Sequence, residues 1–294
     1  MLEIVARDSP HLQRLFEVFA QEARFGRTWL APSLARLKTG NEILEIGSGL
    51  MLLSCQLMKE GFAVTALEPI GTGFSHFSEL QELVLNYARE RGIAPDLALV
   101  PIEEFDRTDT YDFAFSINVM EHVGSIKLAL RSISKAIRPG CEYRFTCPNY
   151  LFPYEPHFNI PTLLSKPLTA IVFGRQIFKC ESVADPASVW RSLNWISVFK
   201  IVRAIREMPD ISATFDRSIL RSALERVIGD KEYSARRSRW MRILAQTLVS
   251  LKLHRLAACL PPLFQPIVDC TLTRRGMSGR SDQPPKPSVS GEVA

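Results

Sequence analysis

Apolar positions along the first half of the chain recur with two periods that take turns. From His11 to about Lys38, Leu12, Leu15, Phe16, Phe19, Trp29, Leu30, Leu34 and Leu37 fall at helical spacing and predict one or two helices. Short apolar runs then predict strands over Ile43–Ile46, Phe62–Leu67, Leu97–Val100, Tyr111–Ile117 and Glu142–Thr146. Between them, helical spacing covers Leu50–Glu60 up to Gly61, Glu79–Arg91 up to Gly92, and Lys127–Ile137 up to Arg138-Pro139-Gly140. Runs such as Tyr111–Ile117 alternate less than a solvent-facing strand would, as expected when both faces are covered. Strand and helix alternate throughout, which predicts an α/β fold with a doubly wound, mainly parallel sheet.

The pattern changes after Pro148. Residues 150–190 are dense in proline and aromatics and predict ordered loops with short helical turns. Trp195–Met208 returns to helical spacing, and Ile211–Phe215 and Pro266–Thr273 alternate like strands. The chain therefore divides into a helical cap (1–40), a core (41–150), loops with a sixth strand (151–216), a basic helical insertion (217–262), a last strand (263–275) and a Ser/Pro/Gly-rich tail expected to be disordered (276–294).

Composition narrows this picture. The 294 residues, 46% hydrophobic and 23% charged, suit one large globular domain or one carrying an elaboration. Six cysteines lie scattered with no CxxC pair, so no structural zinc is expected and the thiols point to a reducing compartment. The N-terminus lacks the charged and apolar regions of a signal peptide, and Lys252, His254 and Arg255 interrupt the greasiest late segment. A cytoplasmic location follows, with peripheral contact at the inner face of a membrane as a variant. The net charge of +5 is uneven, with arginines gathered between Arg217 and Arg255. Such an excess meets an anionic lipid surface or a phosphorylated substrate, or simply makes a solvated helix face.

The chemistry starts at the first strand–helix turn. Gly47 and Gly49 allow a tight turn, and the helix N-terminus beyond offers unpaired N–H groups. A dinucleotide fold places a third glycine three residues after the second, and here that residue is Leu52. Glu68 ends the second strand, where a carboxylate can accept hydrogen bonds from both hydroxyls of a ribose.

Four blocks in this order, Ile43-Leu44-Glu45-Ile46-Gly47-Ser48-Gly49, Ala66-Leu67-Glu68-Pro69, Tyr111–Val123 and Ile137-Arg138-Pro139-Gly140, resemble the class I S-adenosylmethionine-dependent methyltransferases. That group includes small-molecule, quinone-precursor and lipid methyltransferases. The resemblance spans about Leu37 to Tyr150 and implies a Rossmann-like methyltransferase fold with S-adenosylmethionine as cofactor. It implies that Glu45, Gly47, Ser48, Gly49 and Leu50 face the methionine part, Glu68 and Pro69 the ribose, and Ile102 and Glu103 the adenine. Asn118 and Val119 would line the methyl-transfer site. Two positions depart from the family: Met51 stands where a small residue is usual, and Pro101 where an aspartate is.

Methyl transfer to a hydroxyl needs a base. His122, after the fourth strand, and His157, in Tyr154-Glu155-Pro156-His157-Phe158 after the fifth, are the candidates; each could instead be a capping or loop histidine. Asn118, Glu121 and His122 resemble the Glu-x-x-Glu-His metal site of quinone-precursor O-methyltransferases, but Asn118 breaks the pattern, so no metal is expected. The expected acceptor is a small-molecule, sugar-like or lipid-linked group, methylated at oxygen. The Ser116-Ile117-Asn118-Val119 segment lacks the Asn/Asp-Pro-Pro-aromatic motif of amino-directed nucleic-acid methyltransferases, so nucleic acid is not expected as a partner. The competing reading is a noncatalytic protein of this fold that binds a partner or membrane through the insertion.

Overall fold

The Ile43–Ile46 run becomes the centre of the sheet because every residue from Ile43 to Ile46 is buried, which an edge strand would not allow. A computed structural model describes residues 1–69, 78–163, 165–181, 183, 185–235, 237 and 239–276. Seven strands form one sheet: β1 (Glu42–Ile46), β2 (Ala63–Leu67), β3 (Asp96–Ala98), β4 (Tyr111–Ile117), β5 (Ile137–Pro148), β6 (Ile211–Asp216) and β7 (Ile267–Arg274). Their order is β3-β2-β1-β4-β5-β7-β6. β1 to β5 run parallel, and β7 lies antiparallel between β5 and β6. The mainly parallel, doubly wound sheet expected from the alternation is what forms.

Alternate side chains of β1 serve opposite faces of the sheet. Leu44 and Ile46 join a core with Leu130 and Ile133 of helix α5 (Ile126–Ala136) and Ile201 of α8 (Val198–Ile205). Ile43 turns the other way, with Phe113 and Phe115 of β4, onto Trp29 and Leu30 of α2 (Gln13–Leu34) and Leu53 and Leu57 of α3 (Leu52–Lys59). A third cluster joins Val5 of α1 (Leu2–Asp8) and Phe16 to Leu80 and Val84 of α4 (Ser78–Glu90).

Three expectations need correction. Helix α5 ends at Ala136, one residue early, because Ile137 is already extended (φ −76°, ψ 145°). β5 starts there instead of at Glu142, and Pro139 and Gly140 sit in a register shift between Tyr111 and Phe113 that tolerates the missing N–H. The proline-rich 150–190 stretch carries more than short helical turns: it holds the 13-residue α6 (Lys166–Phe178) and the start of α7 (Pro186–Ser192). Pro167 and Pro186 stand in the first turn of those helices, where no N–H is needed, so they mark helix starts.

The insertion is helical as expected, with α9 (Ile219–Gly229), α10 (Lys231–Ala235), α11 (Arg239–Ser250) and a 3-10 segment at Leu253–Cys259. The expected disordered tail lies, from residue 277 on, outside the described residues. Among the described residues no helix is long and apolar enough to cross a membrane.

Candidate active site

The carboxyl ends of β1, β2 and β4 meet around the glycine turn, the position where doubly wound sheets bind ligands. Gly47 leaves β1 at φ +70°, with its N–H donated to the Leu67 carbonyl at 2.7 Å. A Cβ at Gly47 would lie 2.3 Å from Val119 Cγ2, so the residue is required both by its φ and by the close approach of the β4 end. Gly49 (φ +52°) has nothing within 4 Å of where its Cβ would be among the described residues. Its N–H donates to Glu68 Oε2 at 2.8 Å, and Gln81 Nε2 donates to its carbonyl at 2.7 Å. Ser48 Oγ is buried there with no partner among the described residues.

Glu45 follows Ile43 onto the α3 face, where Ser54 Oγ donates to its carboxylate. Burial pushes the Glu45 carboxyl up to about 8. Burial also raises Glu68, although the Gly49 N–H opposes it. Leu50 is buried, and Pro69 is the last residue described before position 78. Met51, in the left-handed region at φ 57°, does not crowd the cradle: its side chain packs with Val5, Phe16 and Leu80. Ile102 is buried in a 3-10 turn that follows Pro101, while Glu103 Oε1 accepts the Ser125 N–H at 3.0 Å and so braces the start of α5. Asn118 is exposed at φ 55°, held by its N–H to the Thr146 carbonyl at 2.9 Å.

The two candidate histidines are brought together, with ring centroids 5.3 Å apart and edge to face. The loop after β5 is folded on Glu155, which is fully buried and accepts from His157 Nδ1 at 2.6 Å, from Phe158 N–H at 2.7 Å and from Tyr150 Oη at 3.2 Å. Burial opposes ionisation of both partners, but their contact outweighs it: Glu155 is lowered and His157 raised. Ser192 donates its hydroxyl to the Val189 carbonyl at 2.8 Å, so its oxygen, 2.8 Å from His122 Nδ1, is left to accept. Both rings therefore carry hydrogen on Nδ1, and in the neutral form each keeps Nε2 to accept from another partner. Burial and the neighbouring His157 depress His122 to about 3, which keeps it neutral near pH 7.

A third member of this cluster, Glu121, stands in the sequence beside His122 as part of the broken metal pattern. Glu121 is completely buried, both its carboxylate oxygens lack a hydrogen-bond partner among the described residues, and burial raises it to about 7. Glu121, His122 and His157 each offer a donor atom within 4.8 Å of the others. His157 completes the set from a loop far along the chain, which the spacing of Glu121-His122 alone could not show.

The chain matches the Methyltransferase domain family over residues 18–158. It is 46% identical to an uncharacterized protein of Mycobacterium tuberculosis (strain H37Rv) over 267 residues, covering 91% of this chain and 90% of the relative. A ubiquinone biosynthesis O-methyltransferase of Rickettsia akari is 31% identical over 99 residues, 34% of this chain and 37% of that protein. The chain belongs to the class I S-adenosylmethionine-dependent methyltransferases. Phosphoethanolamine N-methyltransferase 2 of Haemonchus contortus, solved with S-adenosyl-L-methionine, shares the fold at TM-score 0.51 and 15% identity; the match covers 93% of this chain and 59% of that one. By its family, and not by that shared fold, the protein is a methyltransferase that uses S-adenosylmethionine. Among the described residues, the space beside Gly49 and the unpartnered Ser48 hydroxyl fit a polar ligand laid across the turn.

Burial of Glu45 has a measurable consequence. With its carboxyl near 8 in the free protein, a cationic ligand facing it must bind the ionised form, so affinity for S-adenosylmethionine rises from pH 6 to about 7, below the range in which the ligand's own amino group loses its charge. Calorimetric titration across that range is expected to show the rise in the wild type and a flat profile in Glu45→Gln. A flat wild-type profile would remove Glu45 from the cofactor site.

Proposed function

We propose that this methyltransferase acts on a hydroxyl of a small-molecule, sugar-like or lipid-linked acceptor. The observation that carries the reading is the pair of imidazoles with unclaimed Nε2 atoms beyond the carboxyl ends of β4 and β5. When bound, the cofactor supplies a methyl group on a sulfonium. The protein holds acceptor and methyl in line and keeps water away. His157 Nε2 takes the hydroxyl proton as the oxygen attacks, and Glu155 stabilises the imidazolium that results, as a buried carboxylate does behind a catalytic histidine. Neutral His122 orients the acceptor through its own Nε2.

His157→Ala is expected to lower turnover by roughly 10²–10⁴-fold while cofactor affinity is kept. The assay follows a labelled methyl group from the cofactor into cell-extract acceptors, with the product identified by mass spectrometry. Unchanged turnover, or label found on nitrogen or carbon, would overturn the reading.

The Glu121 carboxylate, with no hydrogen-bond partner among the described residues, favours a second reading. Glu121, His122 and His157 form a carboxylate and two-imidazole donor set of the kind that suits a divalent transition metal. Such an ion would lower the pKa of an acceptor hydroxyl. Calorimetric titration of the protein with Mn²⁺ or Zn²⁺ separates the readings, because binding lost in Glu121→Gln supports the ion and absence of binding leaves the base alone.

A further inference from the structure

Helix α11 has a wider apolar sector than its neighbours cover. Met241, Ala245 and Leu248 turn inward, toward α9. Trp240, Ile243 and Leu244 point to a second side, in line with Leu251 just past the helix end, at the i, i+3, i+4, i+11 spacing of one face. These are not half-covered core positions: Trp240 is 55%, Ile243 53% and Leu251 63% exposed. The following 3-10 segment continues the apolar surface with exposed Leu256 and Leu260.

The charge carried by this segment itself is of one sign, and an acid beside it, Glu225 of α9, is paired with Arg221 and His254. Between positions 233 and 268 the chain has six Lys or Arg and no Asp or Glu. Arg239, Lys252 and Arg255 are exposed among the apolar residues. A helix with a tryptophan and aliphatic residues on one side and arginine at its margin suits the boundary between lipid headgroups and acyl chains. A second copy of the same face would bring like charges together, which opposes self-association through it.

We infer that the exposed face of α11 and the 3-10 segment after it docks this protein on a membrane surface rich in anionic phospholipid. Basic residues supply attraction to the headgroups, and Trp240, Ile243 and Leu251 enter the boundary region. The docking element touches the site. Trp240 stands edge-on to Tyr154, centroids 6.3 Å apart, and Tyr154 directly precedes the Glu155 that holds His157. The contact sets the loop after β5 beside the bilayer whatever the acceptor, so the inference does not depend on oxygen being methylated.

Flotation of the full chain with phosphatidylcholine vesicles, made with and without phosphatidylglycerol, tests it. Binding is expected only with the anionic lipid, and at least about tenfold weaker for Arg239→Glu/Lys252→Glu/Arg255→Glu. Ile243→Ser/Leu251→Ser should also weaken it, with cofactor affinity unchanged in both variants as the check on folding. Trp240 is the most exposed of the described tryptophans, since Trp29 and Trp190 are buried and Trp195 is half-buried. Brominated phosphatidylglycerol vesicles should therefore quench its fluorescence. Equal binding to both vesicle types, no binding to either, or a dimer in sedimentation that Ile243→Ser/Leu251→Ser dissociates would each overturn the inference.

Discussion

Gly47→Arg protein is expected to show no measurable S-adenosylmethionine binding by calorimetry. Two effects act at this one position. The backbone sits at φ +70°, which a side chain disfavours, and a Cβ would meet Val119 Cγ2 at 2.3 Å. Relief requires either the turn or the end of β4 to move, and both border the cofactor cradle. Because that movement could also unfold the domain, Glu68→Ala gives an independent reading. It removes a carboxylate whose partner in the free protein is the Gly49 N–H, leaving the ladder between β1 and β2 intact. Loss of charge-assisted hydrogen bonds to ribose, about 1.5–3 kcal/mol, corresponds to roughly ten- to more than a hundredfold weaker binding. Undiminished affinity in both proteins would remove the glycine turn from cofactor binding.

Asp269→Ala should be the most destabilising single change outside that turn. Asp269 is 1% exposed in β7 and accepts from Arg144 Nε at 3.1 Å, Arg144 Nη2 at 2.7 Å and Trp29 Nε1 at 2.8 Å. Arg144 also donates to the Trp29 carbonyl at 2.9 Å and lies 4.5 Å from the Trp29 ring centroid. The network ties α2, β5 and β7 together across a face of the sheet. Burial holds the Asp269 carboxyl above its ordinary value even beside Arg144, a sign of how strongly this position is desolvated. Removing it strands a buried guanidinium and an indole N–H, at a cost of about 3–5 kcal/mol. Urea unfolding should show that loss, whereas Arg144→Met/Asp269→Leu should lose less, because no charge is left without its partner. Equal losses would mean that shape rather than charge governs the site.

The sheet could be read from the sequence because its signals are local. Apolar runs bounded by Gly61 and Gly92 put β1, β2 and β4 within a residue or two of their observed limits. The antiparallel course of β7 could not be read this way, since strand direction is fixed by which neighbour pairs with it, and Phe145↔Cys270 joins residues far apart in the chain. Prolines in 150–190 misled for a related reason: Pro167 ends a loop and begins a helix with the same local signature. In the site, His122 and His157 were legible as residue types, and their pairing awaited the fold of the loop on Glu155. Glu121 could be named beside His122, but a carboxylate in a polar-looking motif gives no sign that it will be wholly enclosed. Met51 could be judged only once its neighbours were known, because its side chain turns away from the turn it caps.

Asp216, which ends β6, is the register partner of Asp269 near the start of β7, so the polypeptide departs from and returns to the sheet at one place. Everything between them is a closed excursion. Lengthening such an excursion is inexpensive, about 0.6 kcal/mol for each doubling of a flexible loop. Descendants of this chain can therefore lengthen, trim or replace what hangs from that corner while strand pairing stays as it is. Such change is felt at the site through Trp240 against Tyr154, where the docking element and the loop after β5 meet.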